Sequence, residues 1–252
     1  RVAWDGQFIP SDFKFALFRT TWNYFDEINN FMIFLNSCKN SISLINSRDL
    51  ILWNLDKRYL FSLRDRGVNI PETHVVNKKT KVSLQEVVDQ YGWRDIVIKP
   101  CVSAAAWNTH YIKYNNIKNV EALFSDLTKS NDMMVQSFQK NITSRGEVSF
   151  MIIGGSFSHA VLKMAKKGDF RVQDDFGGTV SVYVPEKREI DFALYAISKL
   201  PSKPAYARVD VIVDNTGNLA LSELELIEPE MWFRLKPDSA RCLAKYIRNY
   251  IV

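Results

Sequence analysis

Apolar and polar residues alternate along two segments near the end of the chain. Residues 206–214 and 219–227 both follow this two-residue period, and Asn215-Thr-Gly-Asn218 between them has the composition of a turn. Alternation on both sides of an Asn/Gly turn predicts a β-hairpin. Its apolar positions share one face and are expected to point into a core: Val209, Val211, Val213, Leu224 and Leu226.

The opposite face of this hairpin carries charge. Folding it about the middle of its turn places Asp210 opposite Glu223 and Arg208 opposite Glu225, all on one side. Three crowded carboxylates repel one another and are pushed toward protonation unless a cation intervenes. A divalent ion such as Mg²⁺, carrying substrate phosphates, would resolve the conflict. The alternative is a hairpin with a solvated polar face, since antiparallel sheets often expose one side to water.

The remaining pattern mixes strands and helices. Strands are predicted at 2–4, 15–18, 95–99, 110–114, 133–138, 147–153 and 157–163, and helices at 26–38, 48–66, 81–91, 120–129, 189–200 and 237–252. Antiparallel hairpins dominate after residue 95, which favours an α+β, or mixed α/β, architecture. An α/β domain normally begins with a strand and a helix ahead of this point, so we expect that the first βα unit is missing from the sequence.

Composition indicates a soluble globular protein. The 252 residues suffice for one large domain or two modest ones, and 46% of them are hydrophobic, as in globular domains. No apolar run is long enough to cross a bilayer and no leader opens the chain, so no membrane partner is expected. Cys38, Cys101 and Cys242 are isolated from one another, which predicts a reducing, cytoplasmic setting without disulfides.

The basic residues give no clear sign of nucleic-acid binding. The net charge of +5 is mild, and no basic recognition helix or zinc finger is present. The densest cluster surrounds Gly168-Asp169 and consists of Lys163, Lys166, Lys167 and Arg171. Such a cluster suits a nucleotide polyphosphate as well as a nucleic acid.

Phosphate contacts must come from individual side chains and scattered backbone amides, because neither common glycine-rich phosphate loop occurs in the sequence. Lys99 is the notable candidate, since it directly follows Ile-Val-Ile at the end of a strand. A buried ammonium needs an anionic partner or it loses its charge. The alternative is an exposed strand end whose lysine stem lies along the surface with its charge in water.

Several segments occur in the order found in one enzyme superfamily. They are Lys57, Val97-Ile-Lys-Pro100, Val135-Gln-Ser-Phe138, Gly146-Glu-Val-Ser149, Gly168-Asp-Phe-Arg-Val-Gln173, Ala207-Arg-Val-Asp210 and Glu223-Leu-Glu225. In these segments the chain resembles the glutathione-synthetase-type branch of the ATP-grasp ligases. The resemblance runs from about residue 1 to the end of the chain. Arg19-Thr-Thr-Trp22, Trp53-x-x-Asp-Lys57 and Ser158-His-Ala160 resemble the small ligases that include the D-cycloserine ring-forming enzyme.

The resemblance implies a fold and a domain organisation. Two antiparallel-sheet subdomains of the ATP-grasp fold would clamp ATP, preceded by part of an α/β substrate domain. That N-terminal part would span 1–47 and the ATP-grasp domain 48–252. Within the latter, a lid-like subdomain would cover about 70–135 and the catalytic subdomain about 136–252.

The resemblance also implies the roles of individual residues. The implied ATP-binding residues are Lys57, Lys99, Ser103, Gln136, Ser137, Phe138, Glu147 and Lys163. The implied Mg²⁺ ligands are Asp210, Glu223 and Glu225. Arg171 and Arg208 are the implied catalytic residues. Arg171 would meet the transferred phosphate, and Arg208 would stabilise the negative charge that develops during transfer.

Two departures from the family pattern affect the predicted site. The loop after Lys99 is glycine-rich in many members, but here it reads Cys101-Val-Ser-Ala-Ala-Ala-Trp107. Its backbone amides can still bind phosphate, although the lid is expected to be stiffer. Glu225 stands where many members carry Asn, which adds a negative charge that two Mg²⁺ ions would offset.

The predicted activity is that of an ADP-forming ligase. ATP would phosphorylate a small amino-acid-like carboxylate, and an amine would attack the acyl phosphate, with ring closure within one molecule as one form. The partners would then be small-molecule carboxylates and amines, with no nucleic acid, and a homo-oligomer is possible. An ATP-binding protein that no longer catalyses is the first alternative, and a basic nucleic-acid-binding module is the second.

Overall fold

Helices and strands alternate in short pieces along the chain. The computed structural model describes residues 1–6, 9–21, 23–104, 106–166, 168–169, 171–172 and 177–251. The strands are β1 (Phe15–Leu17), β2 (Ser43–Ile45), β3 (Thr73–Val76), β4 (Ile96–Pro100), β5 (His110–Ile112), β6 (Met133–Ser137), β7 (Glu147–Ile153), β8 (Ser156–Met164), β9 (Thr179–Tyr183), β10 (Tyr206–Val213) and β11 (Leu219–Glu225). The α-helices are α1 (Ile28–Cys38), α2 (Arg48–Asn54), α3 (Tyr59–Arg64), α4 (Leu84–Tyr91), α5 (Ile117–Ser130), α6 (Ile142–Arg145), α7 (Lys187–Ser198) and α8 (Pro237–Tyr250).

The strands of the described residues form two large antiparallel sheets and a small parallel pair. The first large sheet has four strands in the order β3-β6-β4-β5, and the second has five in the order β11-β10-β7-β8-β9. The small pair joins β1 to β2. The predicted α+β class, with two antiparallel sheets and a partial α/β region ahead of them, is confirmed.

Separate apolar cores hold the two large sheets. Ile96, Ile98 and Val135 of the four-stranded sheet pack with the buried faces of α4 and α5. The five-stranded sheet packs one face against α2, α3 and α7. Its other face packs against α8 and the segment that precedes α8. Each sheet therefore has its own main support, and Met134 of the four-stranded sheet also packs into the core of the five-stranded one.

The predicted β10–β11 hairpin is confirmed in register. Asp210 is opposite Glu223 and Arg208 is opposite Glu225. A bulge follows Asp210, so that Val211 pairs with Leu221. Of the apolar positions predicted to face the core, Val209, Val211, Leu224 and Leu226 are buried, and Val213 is half-buried.

The single helix predicted over 48–66 is wrong. The structure has two helices, α2 and α3, separated by residues 55–58. Asp56 accepts a hydrogen bond from the backbone N–H of Arg58 at 2.9 Å, which offers the chain an alternative to helical bonding. The break matters because Lys57 lies inside it.

The strand predicted at Val2–Trp4 is also wrong. Trp4 begins a turn and packs edge-on against Phe31, with 5.1 Å between the ring centroids. Its indole N–H donates to Asn23 at 2.8 Å. The apolar residues of this segment reflect a buried anchor rather than a strand. Strands β2, β3 and β9 were not predicted, since each is short and only partly buried.

No helix among the described residues is long and apolar enough to cross a membrane.

Candidate active site

A cleft of about 530 Å³ is lined by residues from both large sheets. It contains every residue predicted above to bind ATP, to bind Mg²⁺ or to act in catalysis. A separate cavity of about 720 Å³ lies among residues 1–34 and includes none of them. Residues far apart in sequence thus meet where the sequence analysis places the chemistry.

Three carboxylates meet on the polar face of the β10–β11 hairpin. One oxygen from each of Asp210, Glu223 and Glu225 lies within 4.8 Å of the others. Asp210 is buried, and about 29% of each glutamate side chain is exposed. The trio is therefore accessible from the cleft on its glutamate side.

Asp210 is the most completely bonded of the three. Its Oδ1 accepts from Ser149 at 2.6 Å and from the Arg208 Nε at 3.0 Å, and its Oδ2 accepts from Lys163 at 3.1 Å and from Arg208 at 2.9 Å. Burial would raise the pKa of Asp210, but the charges of Arg208 and Lys163 outweigh burial and hold it well below its ordinary value. Asp210 is thus ionised at neutral pH.

Glu223 forms an ion pair with Lys57. The Lys57 Nζ donates to Glu223 Oε1 at 2.8 Å and to the backbone oxygen of Ser103 at 2.7 Å. The break between α2 and α3 places Lys57 there, and its own N–H donates to the Cys101 oxygen at 2.8 Å. Burial opposes ionisation of Glu223, but Lys57 and Lys99 lower its pKa.

Glu225 differs from the other two carboxylates. It accepts a hydrogen bond from Arg208, yet burial raises its pKa to about 7 because Arg208 only partly offsets the desolvation and the nearby carboxylates. Glu225 is therefore the one member of the trio that is poised between its neutral and ionised forms near neutral pH.

Arg208 is held on several sides. Besides Asp210 and Glu225, it contacts the face of the Trp232 ring, with the guanidinium carbon 5.2 Å from the ring centroid. Trp232 is buried and has a backbone φ of 44°, in the left-handed region that bulky residues rarely adopt. Such backbone strain is retained where surrounding contacts fix the residue. The Trp232 ring, held in this way, packs against Arg208 and helps to orient its guanidinium.

Lys163 bridges two carboxylates at the base of the cleft. It contacts Asp210 and Glu147, and Glu147 also accepts from the Ser222 hydroxyl at 2.6 Å. Burial would lower the pKa of Lys163, but Asp210 and Glu147 raise it above its ordinary value. The lysine stays charged and neutralises these two acids.

The Lys99 side chain has no hydrogen-bond or ion-pair partner among the described residues. It lies on β4 and lines the cleft near Lys57 and Glu223. Burial lowers its pKa, which means that the charged form gains from an added anion. Lys99 thus has the properties expected of a phosphate ligand.

The remaining predicted ATP-binding residues lie on both sides of Lys99. The Ser103 hydroxyl donates to the Pro100 oxygen at 3.2 Å, and the Gln136 amide donates to Thr73 at 2.8 Å. The Phe138 ring packs on Tyr111, with 4.3 Å between ring centroids. Ser137 precedes Phe138 at the end of β6, where the chain leaves the four-stranded sheet.

Arg171 lies in the cleft and is bound by a neighbouring acid. Asp169 accepts from the Arg171 guanidinium at 2.8 Å. The rest of the predicted Gly168–Gln173 segment is only partly covered, because Phe170 and Gln173 lie outside the described residues, as does the neighbouring Lys167. Trp22 of the Arg19–Trp22 segment also lies outside them, whereas Arg19 donates to the Pro229 oxygen at 3.2 Å.

Sequence reasoning missed two residues that support the carboxylates. The Asn54 amide donates to the Leu224 oxygen and accepts from the Leu226 N–H, both at 2.9 Å. The Tyr59 hydroxyl bonds the same Leu224 oxygen and its N–H. Both residues flank Lys57, and this position beside a predicted ligand is the signal that could have identified them.

Other residues of the cleft gave no usable signal. Trp232 follows Pro229 in an irregular segment, and Tyr24 reaches the cleft from the N-terminal region. His159, of the Ser158-His-Ala160 segment, bonds the Met231 oxygen at 3.0 Å and Ser239 at 3.0 Å. It supports the segment that carries Trp232.

The donor set fits a hard divalent cation. Carboxylate oxygens are the ligands that Mg²⁺ prefers, and the second oxygens of Glu223 and Glu225 accept no hydrogen bond from the described residues. The fixed cations Lys57, Lys163 and Arg208 reduce the repulsion within the trio. The arrangement can thus bind one or more cations next to an anionic ligand.

Comparisons with known proteins find two family matches along the chain. The family described as prokaryotic glutathione synthetase, ATP-grasp domain, matches residues 60–229, and the family described as D-cycloserine synthetase DcsG, N-terminal domain, matches residues 1–46. The cycloserine biosynthesis protein DcsG of Streptomyces lavendulae is 25% identical over 260 residues, covering 94% of this chain and 83% of that protein.

Solved structures share the fold. The crystal structure of D-cycloserine synthetase DcsG has a TM-score of 0.88 and 22% identity, covering 99% of this chain and 88% of that one. D-alanine–D-alanine ligase from Bacillus anthracis, complexed with ATP, has a TM-score of 0.63 and 18% identity, covering 95% and 79%. The ATP-grasp ligase PsnB, complexed with a minimal precursor, Mg and ADP, has a TM-score of 0.61 and 13% identity, covering 94% and 78%.

Proposed function

Because the chain belongs to the prokaryotic glutathione synthetase ATP-grasp family, we propose that it is an ATP-dependent carboxylate–amine ligase that works through an acyl phosphate. The observation that carries the proposal is the carboxylate trio, surrounded by Lys57, Lys99, Arg171 and Arg208 in one cleft between two sheets. Phosphoryl transfer needs this combination of metal ligands and fixed cations.

The phosphate chain of ATP would lie between the sheets. Lys99, which has no partner among the described residues, would pair with a phosphate, and Lys57 would reach the same chain from the α2–α3 break. Glu223 and Glu225 would hold Mg²⁺ through their second oxygens, with Asp210 behind them. When bound, Mg²⁺ would neutralise charge on the phosphate oxygens.

Arg208 would stabilise the transferring group. Its guanidinium is fixed by Asp210, Glu225 and the Trp232 ring, so little reorganisation is needed when negative charge develops beside it. A carboxylate oxygen of the substrate would attack the γ-phosphorus, the bond to ADP would break, and an acyl phosphate would form. An amine would then attack the acyl carbon, lose a proton and release phosphate.

The cleft also suits a small molecule with both charges. Glu228 and Glu230 line it together with Arg234 and Arg171. Groups of both signs in one place favour an amino-acid-like zwitterion over a purely anionic substrate. The likeness to the cycloserine biosynthesis protein favours an amine and a carboxylate within one molecule, which would give a ring.

Release of ADP tests this proposal directly. The protein would be incubated with Mg-ATP and with single amino acids, amino-acid pairs or O-ureidoserine, and ADP would be measured. We expect ADP with one substrate class only, together with a product that is one water lighter than its reactants. ADP release independent of any acceptor would argue against a ligase.

A catalytically inactive ATP-binding protein is the second candidate. The Ala-rich loop at residues 104–106 in place of glycines motivates it. Tight binding of ATP without turnover on any member of the panel would favour this candidate. The bonds that hold Arg208, Asp210 and Glu223 favour the enzyme, because a protein that only binds nucleotide has little need of all three.

A further inference from the structure

The two large sheets are joined through a short linker that lines the cleft. Residues 138–141 follow β6 of the four-stranded sheet and lead through α6 into β7 of the five-stranded sheet. Phe138 and Gln139 of this linker line the cleft. The linker therefore sets both the spacing of the sheets and the shape of one end of the cleft.

Asn215, in the turn between β10 and β11, binds this linker through three hydrogen bonds. Its backbone N–H donates to the Gln139 side-chain oxygen, and its Nδ2 donates to the Phe138 oxygen, each at 2.9 Å. Its Oδ1 accepts from the Lys140 N–H at 2.9 Å. One side chain thus fixes two nearby peptide groups of the linker.

The turn that carries Asn215 and the start of the linker are each held by further hydrogen bonds. Asp214 accepts from the Thr216 and Asn218 N–H groups at 2.9 Å, which holds the turn that carries Asn215. The Phe138 N–H donates at 2.9 Å to the backbone oxygen of Asp95, directly before β4 of the four-stranded sheet. The linker is consequently held by one sheet at its beginning and by the hairpin turn of the other sheet along its length.

The distance between the linker and Lys99, the proposed phosphate ligand, suits the length of a nucleotide. Ile96 pairs with Ser137, and Lys99 is three residues further along β4. At roughly 3.3 Å per residue this places Lys99 about 10 Å from the start of the linker. Apolar side chains line the cleft near the linker, among them Val97, Ile142 and Ile212, and they suit the faces of a flat base.

From these contacts we propose that Asn215 is the positioning residue for recognition of the nucleotide base. It holds the Phe138–Lys140 backbone in the form that receives a purine ring, while the phosphates are bound elsewhere. This role rests on the proposed function, because it requires ATP in the cleft. Affinity for the nucleotide base would thus depend on a turn residue that does not itself line the cleft.

Asn215→Asp separates base recognition from phosphate binding. The substitution keeps the acceptor for the Lys140 N–H but turns the donor to the Phe138 oxygen into an acceptor, so two acceptors face each other. Dissociation constants of ATP and of tripolyphosphate would be measured by calorimetry with Mg²⁺. We expect that the constant for ATP rises about tenfold, as for loss of one part-buried hydrogen bond, and that tripolyphosphate binding stays within about twofold.

Asn218→Asp is the matched control. It makes the same change of charge in the same turn, but the Asn218 side chain donates to Thr216 and not to the linker. We expect that it leaves both constants unchanged. Where Asn215→Asp fails to fold, Asn215→Ala removes both side-chain bonds to the linker without adding charge, and the same selective loss is expected.

The outcomes are distinguishable. Equal weakening of ATP and tripolyphosphate would mean that Asn215 maintains the whole cleft, which overturns a role in base recognition. Unchanged ATP binding would overturn the role as well. Failure of the unsubstituted protein to bind ATP would instead overturn the proposed function, and the role of Asn215 with it.

Discussion

Hydrogen bonding divides the carboxylate trio into one buried anchor and two accessible carboxylates, which are the proposed metal ligands. Both oxygens of Asp210 are occupied by Ser149, Lys163 and Arg208. Glu223 and Glu225 each use only one oxygen for a bond to the described residues. Substitution of the anchor should therefore affect the fold, whereas substitution of an accessible ligand should affect mainly the chemistry.

Glu223→Gln and Asp210→Asn test this division. Glu223→Gln is expected to lower Mg²⁺-dependent ADP release at least roughly 100-fold with a small change in stability, because a direct metal ligand matters more than its neighbours. Asp210→Asn is expected to lower the free energy of unfolding by about 3 kcal/mol as well, because it breaks a buried ion pair. Urea unfolding and ADP release would measure the two effects.

Asp126→Asn is the control for both substitutions, since that exposed acid forms an ion pair only with Lys129 in the part of the chain that the structure describes. It should change neither quantity. Normal turnover by Glu223→Gln would contradict the metal assignment, and unchanged stability of Asp210→Asn would contradict its role as the anchor.

The raised pKa of Glu225 predicts a pH dependence of stability without metal. A carboxyl whose folded pKa, about 7, exceeds its unfolded value binds more protons when folded. Its stabilisation is present below about pH 4.5 and is lost as the pH rises to about 7. Glu225→Gln should therefore gain stability relative to the parent, by about 1–3 kcal/mol, between pH 5 and pH 8 in EDTA. A stability difference that does not vary with pH would refute this.

Among helices and strands, β11 is supported in an unusual way. It is an edge strand of the five-stranded sheet. Asn54 and Tyr59, from the end of α2 and the start of α3, bond the backbone of Leu224, and Asn54 also bonds Leu226 directly after the strand. Side chains here take the place of a further strand. Because Glu223 and Glu225 alternate with these leucines, the same bonds orient the proposed metal ligands.

Tyr59→Phe removes two of these bonds. We expect the free energy of unfolding to fall by about 2 kcal/mol and the Mg²⁺ concentration for half-maximal activity to rise about tenfold. Tyr195→Phe is a suitable control, because that hydroxyl donates to the Arg66 oxygen away from the cleft. A purely structural role for Tyr59 would lower stability without any change in the Mg²⁺ requirement.

The elements were predictable where the pattern is strong and local. The β10–β11 hairpin follows from alternation around an Asn/Gly turn, and α4 follows from its Ser83 and Glu86 capping box with Gly92 at its end. The break between α2 and α3 was not predictable from periodicity, because the apolar positions continue through it. It depends on side-chain bonds of Asp56 and on tertiary contacts of Lys57.

At the scale of the whole molecule, the site could be predicted only through family resemblance. The sequence alone places Asp210, Glu223 and Arg208 on one face, because a hairpin is a local structure. It does not bring Lys99 of the other sheet to them, since that proximity depends on how two separate cores are joined. Trp232 was unpredictable for the same reason.

Gly146 lies where the chain passes from the linker into the five-stranded sheet. It has a φ of 71°, and a Cβ atom there would lie 2.3 Å from the Lys163 oxygen. Gly146→Ala is expected to destabilise the protein by about 3 kcal/mol or more, because strain and overpacking add. Chemical denaturation would measure this.

Gly217→Ala provides the comparison. Gly217 has a φ of 89°, but a Cβ atom added there would meet no described atom within 4 Å, so only conformational strain applies. A cost of about 1–2 kcal/mol is expected there. Equal costs at the two positions would show that the close approach of the strands at Gly146 is unimportant.

The bonds between the beginning and the end of the chain also affect the timing of biosynthesis. Asn46 bonds Tyr206 and Leu226, and Asn54 bonds Leu224, which is 170 residues later. At about 5–20 residues per second, a ribosome needs roughly 10–30 s to make the intervening segment. Until then these asparagines remain hydrated, so the nascent chain is expected to gain nucleotide affinity only when its last strands emerge.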